Sequence, residues 1–79
     1  MTDRPTCELR LILIHETEGA YQVTEASDAK PVWVPKSLVE CEGRELGEAG
    51  VLLNGLGPFK RPIFNFTLPE WLAEDRDLL

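Results

Sequence analysis

The chain has 79 residues, of which 43% are hydrophobic and 28% are charged, and its formal net charge is -6. A chain this short buries only about 60% of its unfolded surface, which leaves room for one modest core and one domain. The composition is that of a folded protein and excludes a disordered chain. Fourteen acidic residues against eight basic ones argue against direct binding to nucleic acid or to a membrane, since nucleic acid and anionic lipid attract Lys and Arg.

The first half of the chain is predicted to form an antiparallel meander. Its three strands are residues 7–15, 20–24 and 32–34. The first becomes apolar on both faces, as expected of a central strand. Gly19 suits the first hairpin turn and residues 26–31 the second. Pro35 cannot donate to a ladder and ends the third strand.

The middle of the chain is predicted to be mostly irregular. Residues 36–38 fit a single turn, after which residues 39–41 resume extended structure. Residues 42–50 hold three glycines among charged side chains and are predicted to form a loop. A short strand at residues 51–53 is followed by a bend over residues 54–58.

The C-terminal part alternates and then becomes helical. Residues 63–68 form the last predicted strand, with Phe64, Phe66 and Leu68 on one face. A helix over residues 68–76 follows, which begins with a capping box of Thr67 and Glu70 and turns Trp71 and Leu72 toward the sheet. Trp33 and Trp71 are both expected in the core.

These elements predict an α+β, mainly β fold. We expect an antiparallel meander of four to five strands, in an SH3-like or partly open barrel, with a short C-terminal helix packed against it. No secretory signal or membrane span is visible, because the longest apolar run is residues 11–14. A cytoplasmic protein is therefore expected.

Few residues could support catalysis or metal binding. His15 is the single histidine, and neither Cys7 nor Cys41 has the glycine-rich setting of a nucleophile. These three residues also lack the close spacing of a zinc site. The sequence predicts no enzyme activity, catalytic residue, metal or cofactor; a hydrolase using His15 with either cysteine is the alternative. In a reducing compartment the two cysteines are expected to be free thiols, with a disulfide between them as the alternative.

Acidic residues form three groups of four along the chain. They are Glu16, Glu18, Glu25 and Asp28; Glu40, Glu42, Glu45 and Glu48; and Glu70, Glu74, Asp75 and Asp77. The second and third groups, together with Phe59, are the predicted partner-binding residues, because converging carboxylates can meet a row of Lys and Arg. Phe59 stands beside a basic doublet, a composition common in binding hot spots. The alternative is that the acids only aid solubility.

Two segments resemble a family of short bacteriophage and prophage proteins. Residues 32–37 read V-W-V-P-K-S and residues 67–74 read T-L-P-E-W-L-A-E. They are similar to the family motifs V-W-[VIL]-P-[KR]-S and [IVL]-P-E-W-L-A-E, and the likeness covers mainly residues 21–40 and 66–79. The chain departs from that pattern in the longer glycine-rich segment at residues 43–62. In size and charge it also resembles, at the level of class, the anti-CRISPR proteins of phages.

Small size, acidity, the lack of catalytic groups and the phage-like motifs together predict an inhibitor of a host defence complex in the cytoplasm of the bacterial cell. Its partner would be a host protein complex with a basic nucleic-acid-binding surface, which the acidic groups would occupy. The alternative is a non-enzymatic structural or accessory module of a phage, which binds a larger assembly through residues 43–62. The oligomeric state stays open, although an edge strand could pair with a copy of itself.

Overall fold

The computed structural model describes residues 5–26 and 29–78, which form six antiparallel strands and one short α-helix. The strands are β1 (Thr6–Glu16), β2 (Ala20–Thr24), β3 (Val32–Pro35), β4 (Glu40–Cys41), β5 (Gly47–Leu53) and β6 (Leu56–Pro69). A 3₁₀ turn at Lys36–Leu38 joins β3 to β4, and the helix α1 is Glu70–Asp75. The prediction of a mainly β fold with a short C-terminal helix is confirmed.

The strand order places β1 at the centre of the sheet. The sheet runs β3-β2-β1-β6-β4, and β5 also pairs with β6. The predicted three-strand meander is therefore confirmed. The predicted turn between β2 and β3 contains residues 27 and 28, which lie outside the described residues. The last strand does not continue the meander; residues 63–69 return antiparallel beside residues 6–12 of β1.

The sheet is open but must curl. Five strands lying flat would place β3 and β4 about 19 Å apart. The link from Pro35 to Glu40 spans at most about 18 Å, and less because three of its residues form a 3₁₀ turn. Curling also explains how the ring of Tyr21 in β2 reaches Phe66 in β6, with ring centroids 5.5 Å apart. The concave side so formed holds the main core.

The main core combines alternate residues of the strands with the helix. Its buried members are Leu11, Val23, Val34, Val39, Phe66, Leu68, Leu72, Ala73 and Leu78. Phe66 and Leu68 are buried on one face and Phe64 packs against the same cluster, as the alternation of β6 predicts. Leu72 and Ala73 bring α1 against that side of the sheet, so the helix covers the open end of the core.

Residues 47–62 form a β-hairpin, here called the arm. Its strands, β5 and the first half of β6, join through Asn54 and Gly55, which have φ values of 53° and 78°. Asn-Gly is the strongest short-range signal for such a turn. The predicted loop over residues 42–50 and the bend over residues 54–58 are thus wrong in part. β5 already begins at Gly47 and β6 at Leu56, because long ladders to a partner strand override local glycine content.

The arm makes the molecule elongated. A strand of 14 residues, the length of β6, spans about 46 Å at 3.3 Å per residue. The longest dimension of the molecule is 46 Å. A second cluster attaches the arm to the sheet, in which Val51 packs with Ile12 and Ile14 on the face of β1 opposite the main core. The arm therefore has an apolar anchor of its own.

The start of α1 differs from the prediction. Pro69 occupies the N-cap position and no side chain caps the helix, so the capping box of Thr67 and Glu70 is wrong. Thr67 is instead held in β6 between Glu8 and Glu40, while the Glu70 amide donates to the Pro5 carbonyl at 3.0 Å. None of the helices in the described residues has the length and apolarity needed to cross a membrane.

Both tryptophans lie at the surface, which corrects their expected place in the core. Trp33 is 44% exposed and Trp71 is 46% exposed. Val34 faces the core, so strand alternation turns Trp33 to the opposite face. In α1, the buried side belongs to Leu72 and Ala73, and Trp71 points elsewhere. The large apolar area of a tryptophan does not place it in this core, because aliphatic side chains and Phe66 already fill it.

Candidate functional site

The two cysteines lie on opposite sides of β6. Cys7 is the ladder partner of Leu68 and Cys41 that of Phe66. Two strand spacings, about 9.5 Å in total, and an offset of two residues along β6 separate their Cα atoms, well beyond the Cα distance of about 7 Å that a disulfide tolerates. Both are free and pack against the main core. The prediction of two free thiols is confirmed.

The structure brings neither cysteine to His15. A register shift between Leu13 and His15 turns His15 to the face opposite the main core, where its ring meets Trp33 edge-on at 6.1 Å. The Cys7 thiol donates to the Leu68 carbonyl and the Cys41 thiol to its neighbour's carbonyl. Burial raises the pKa of both thiols, and Glu70 adds to the effect on the pKa of Cys7. Protonated thiols without a base make poor nucleophiles.

The raised thiol pKa values predict a loss of stability at alkaline pH. A thiol with a higher pKa in the folded chain stabilises the fold fully below its unfolded value and loses that contribution as pH rises through the folded value. The ordinary pKa of Cys41 is 9.0, and burial first and Glu16 second raise it. We expect the free energy of unfolding, measured in urea, to fall as the pH rises through 9.0 and above.

The control for this prediction is the variant Cys7→Ala/Cys41→Ala. It should lose less stability over the same pH range than the unmodified chain. A residual slope is expected because burial also raises the pKa of Tyr21. Equal slopes for both proteins would show that the thiols do not contribute.

A cleft of about 370 Å³ lies where the tip of the arm approaches the sheet. Leu52 and Leu53 line it from the arm and Ile14 and Gln22 from the sheet. Lys30 is the one charged residue that lines it in the described part of the chain. General acid–base catalysis needs a proton donor and acceptor tuned near neutral pH, and the lining residues do not supply such a pair. Nor do the described residues contain a group of three side chains suited to hold a metal ion.

The predicted partner-binding acids are all exposed and fall into two places. Glu40 is in β4, Glu48 is in β5, and Glu42 and Glu45 lie between these strands. Glu70, Glu74 and Asp75 belong to α1, and Asp77 follows it with a φ of 57°. Asp75 is ion-paired with Arg76. One set therefore follows the edge of the sheet and the other the helix over the main core.

Acids from distant segments meet in one row of the sheet, here called the acidic row. Glu8 of β1 and Glu40 of β4 both pair with Thr67 of β6. Paired residues point to the same face of a sheet, and the two strand spacings put Glu8 and Glu40 about 9.5 Å apart. Glu42 follows in the next row, where its amide donates to the Asn65 carbonyl across from Arg10.

Glu8 is absent from the residues that the sequence singles out. Alternation with Cys7, Leu9 and Leu11 already places Glu8 on the face away from the core. Its grouping with Glu40 depends on β6 lying between β1 and β4. Glu8 is 59 positions and Glu40 is 27 positions before Thr67 in the chain, and both pair with it. Local sequence carries no sign of that pairing.

Charge is divided unevenly between the arm and the rest of the protein. The arm has one acid, Glu48, against Lys60 and Arg61, which gives it a net charge of +1. Since the whole chain has a net charge of -6, the remaining residues carry -7. The guanidinium of Arg61 lies over the ring of Phe59 at 5.6 Å. The arm is thus weakly basic, while the rest of the protein, here called the body, is acidic.

The far end of the arm exposes large apolar side chains. Phe59, a predicted partner-binding residue, lies in β6 and is 40% exposed. Leu52 and Leu56, which the sequence reasoning did not single out, are 53% and 66% exposed. Their place at a hairpin tip became visible only once the strands were defined.

Compared with known proteins, this chain has no match among protein-family models, curated proteins or solved structures.

Proposed function

We propose that the chain is a phage-encoded inhibitor of a host defence complex, of the anti-CRISPR type, and that its acidic body covers the complex's basic nucleic-acid-binding surface. The observation that carries this proposal is the acidic row, in which Glu8 and Glu40 flank Thr67 across three adjacent strands. Surfaces that hold nucleic acid are rich in Lys and Arg. A body with a net charge of -7 would be steered toward such a surface, and salt would weaken binding.

The two phage-like motifs support the proposal through their position. The first motif holds Trp33 in β3 and the second holds Trp71 in α1, and both rings are nearly half exposed. Arg76 ties the two elements together, since its Nε donates to the Trp33 carbonyl at 2.9 Å. Exposed tryptophans beside charged residues are common anchors of protein interfaces. They would add apolar contact to the charge attraction.

A plaque assay tests this function with a charge-reversed variant. Expression of the chain should restore plaques of a targeted phage on a CRISPR-proficient host. Glu8→Lys/Glu40→Lys should abolish the rescue, because two repulsive charges replace two attractive ones in the acidic row. Glu18→Lys/Glu25→Lys makes the same change in net charge at exposed positions away from the acidic row and should retain the rescue.

Purified components provide the second readout. In a gel-shift assay, the chain should displace target DNA from the inhibited complex, and displacement should weaken as salt is raised. Failure to rescue a targeted phage in every CRISPR system tested would reject the proposal. Equal loss of rescue in both charge-reversed variants would reject the acidic row as the contact surface and leave net charge as the cause.

A phage structural or accessory module is the second candidate, and the arm favours it. Leu52, Leu56 and Phe59 are each exposed on the segment in which the chain departs from the phage pattern. Such a tip could anchor the protein to a larger assembly. Co-purification with a virion or replication component, lost on Phe59→Ser, would favour this function over inhibition.

A further inference from the structure

The outer edge of β5 is open. β5 pairs with β6 along one side over Gly47–Leu53. In the described residues, no backbone hydrogen bond joins its other side to the rest of the protein. Unpaired strand edges are templates for pairing with another strand, and proteins usually block them.

The other edges of this sheet are blocked in ways that β5 is not. β3 has four residues, ends at Pro35, and has its Trp33 carbonyl covered by Arg76. β4 has two residues. Along the arm, β6 carries Pro58 and Pro62, which cannot donate to a new strand. β5 has seven residues with no proline and no lysine.

The ladder within the arm shows which groups of β5 face outward. Pro62 lacks an N–H, so its pair with Glu48 cannot be one in which both residues exchange hydrogen bonds. Pair types alternate along an antiparallel ladder, so the pair of Gly50 with Lys60 is of the same kind. The N–H and C=O groups of Glu48 and Gly50 therefore point away from β6. Gly50 is partly exposed, and without a side chain its exposed area is backbone.

We infer that β5 pairs antiparallel with β5 of a second copy, which gives a two-fold dimer with a continuous sheet through both arms. A two-fold axis at Gly50 places the two bare Gly50 residues opposite each other, where their outward groups exchange two hydrogen bonds. Glu48 then faces Leu52 of the second copy. The two Glu48 carboxylates lie about 13 Å apart along the strands, so no like charges are paired.

Charge opposes a contact between arms less than a contact between bodies. The arm has a net charge of +1 while the rest of the chain has -7, so pairing through the arms does not bring the more strongly charged parts of two copies into the interface. The interface is a single pair of short strands, which predicts a weak dimer at the small end of specific interfaces. This inference goes beyond the proposed inhibition and does not depend on it.

Sedimentation velocity over a concentration series, up to about 1 mM, tests the dimer. The unmodified chain should pass from monomer to dimer. Glu48→Pro removes an outward N–H without breaking the arm's own ladder and should raise the dissociation constant about tenfold or more. Glu48→Ala removes the same side chain but keeps the N–H, and should change the constant less than about threefold.

Amide exchange of the unmodified chain gives a readout that no variant can disturb. The amides of Glu48 and Gly50 should exchange slowly at high concentration and quickly at low concentration. A chain that stays monomeric at about 1 mM would overturn the inference. Pairing of β5 with a strand from a different protein would not rescue it. A dimer in which these two amides stay unprotected, or one that a folded Glu48→Pro variant forms equally well, would overturn it too.

Discussion

Phe66→Ala is expected to lower the free energy of unfolding by about 3–5 kcal/mol, the usual cost of truncating a buried phenylalanine. Phe66 is fully buried, and its ring centroid lies 5.5 Å from that of Tyr21 and 6.5 Å from that of Phe64. It lies in β6 between β1 and β4, where its ladder partners are Leu9 and Cys41. A domain of this length has a total stability of about 4–12 kcal/mol. The variant should therefore lose between about a quarter and all of the stability of the domain, and it should unfold at a lower urea concentration and a lower temperature.

Urea unfolding followed by circular dichroism measures this effect. Phe59→Ala is the matched control, because it removes the same ring from the same strand at a position that is 40% exposed. Its cost should stay near or below about 1 kcal/mol. Equal costs at the two positions would contradict the placement of the main core on the concave side of the sheet.

Gly57→Ala is expected to disrupt the arm at a cost of about 2–4 kcal/mol, from backbone strain together with a steric clash. Gly57 has a φ of 126°, which residues with a side chain rarely adopt. A Cβ atom there would lie 2.7 Å from the Val51 carbonyl oxygen and 2.9 Å from the Phe59 amide nitrogen. Both atoms are backbone and cannot turn aside. The arm should open locally, with faster amide exchange over residues 47–62 and little change in the body.

Two other glycines serve as graded controls for this prediction. Gly55 has a φ of 78° but open space around it, so Gly55→Ala should cost only about 1–2 kcal/mol. Gly43 has neither a positive φ nor a close neighbour, and Gly43→Ala should be neutral or stabilising by up to about 1 kcal/mol. A reversed order, with Gly43→Ala the most damaging, would show that the arm is built differently.

These substitutions also separate the two surfaces. Phe66→Ala disrupts the main core of the body, and this loss of structure should abolish both inhibition and dimer formation. Gly57→Ala should weaken the dimer, since β5 loses its partner strand, while the acidic row on the body keeps its geometry. Rescue of phage by Gly57→Ala would therefore place inhibition on the body. Loss of rescue would show that inhibition needs the arm.

The sequence by itself determined the local elements with strong patterns. The apolar character of β1, the alternation of Phe64, Phe66 and Leu68, and Pro35 as the end of β3 are all readable locally. Each reflects a period of two or a missing donor, which depend on neighbouring residues only.

The tertiary structure alone decided which residues share a surface. Glycine and proline predict a loop over residues 42–50 and a bend over residues 54–58 on either side of the short strand at 51–53, and only the pairing of β5 with β6 extends these segments into one hairpin. The predicted capping box does not form because Thr67 is held in β6. The predicted burial of the two tryptophans is wrong because aliphatic side chains already close the core. Glu8 and Glu40 share a row because both pair with Thr67, at separations of 59 and 27 positions along the chain. Contacts that far apart arise from closure of the whole sheet, and no local pattern of residues encodes them.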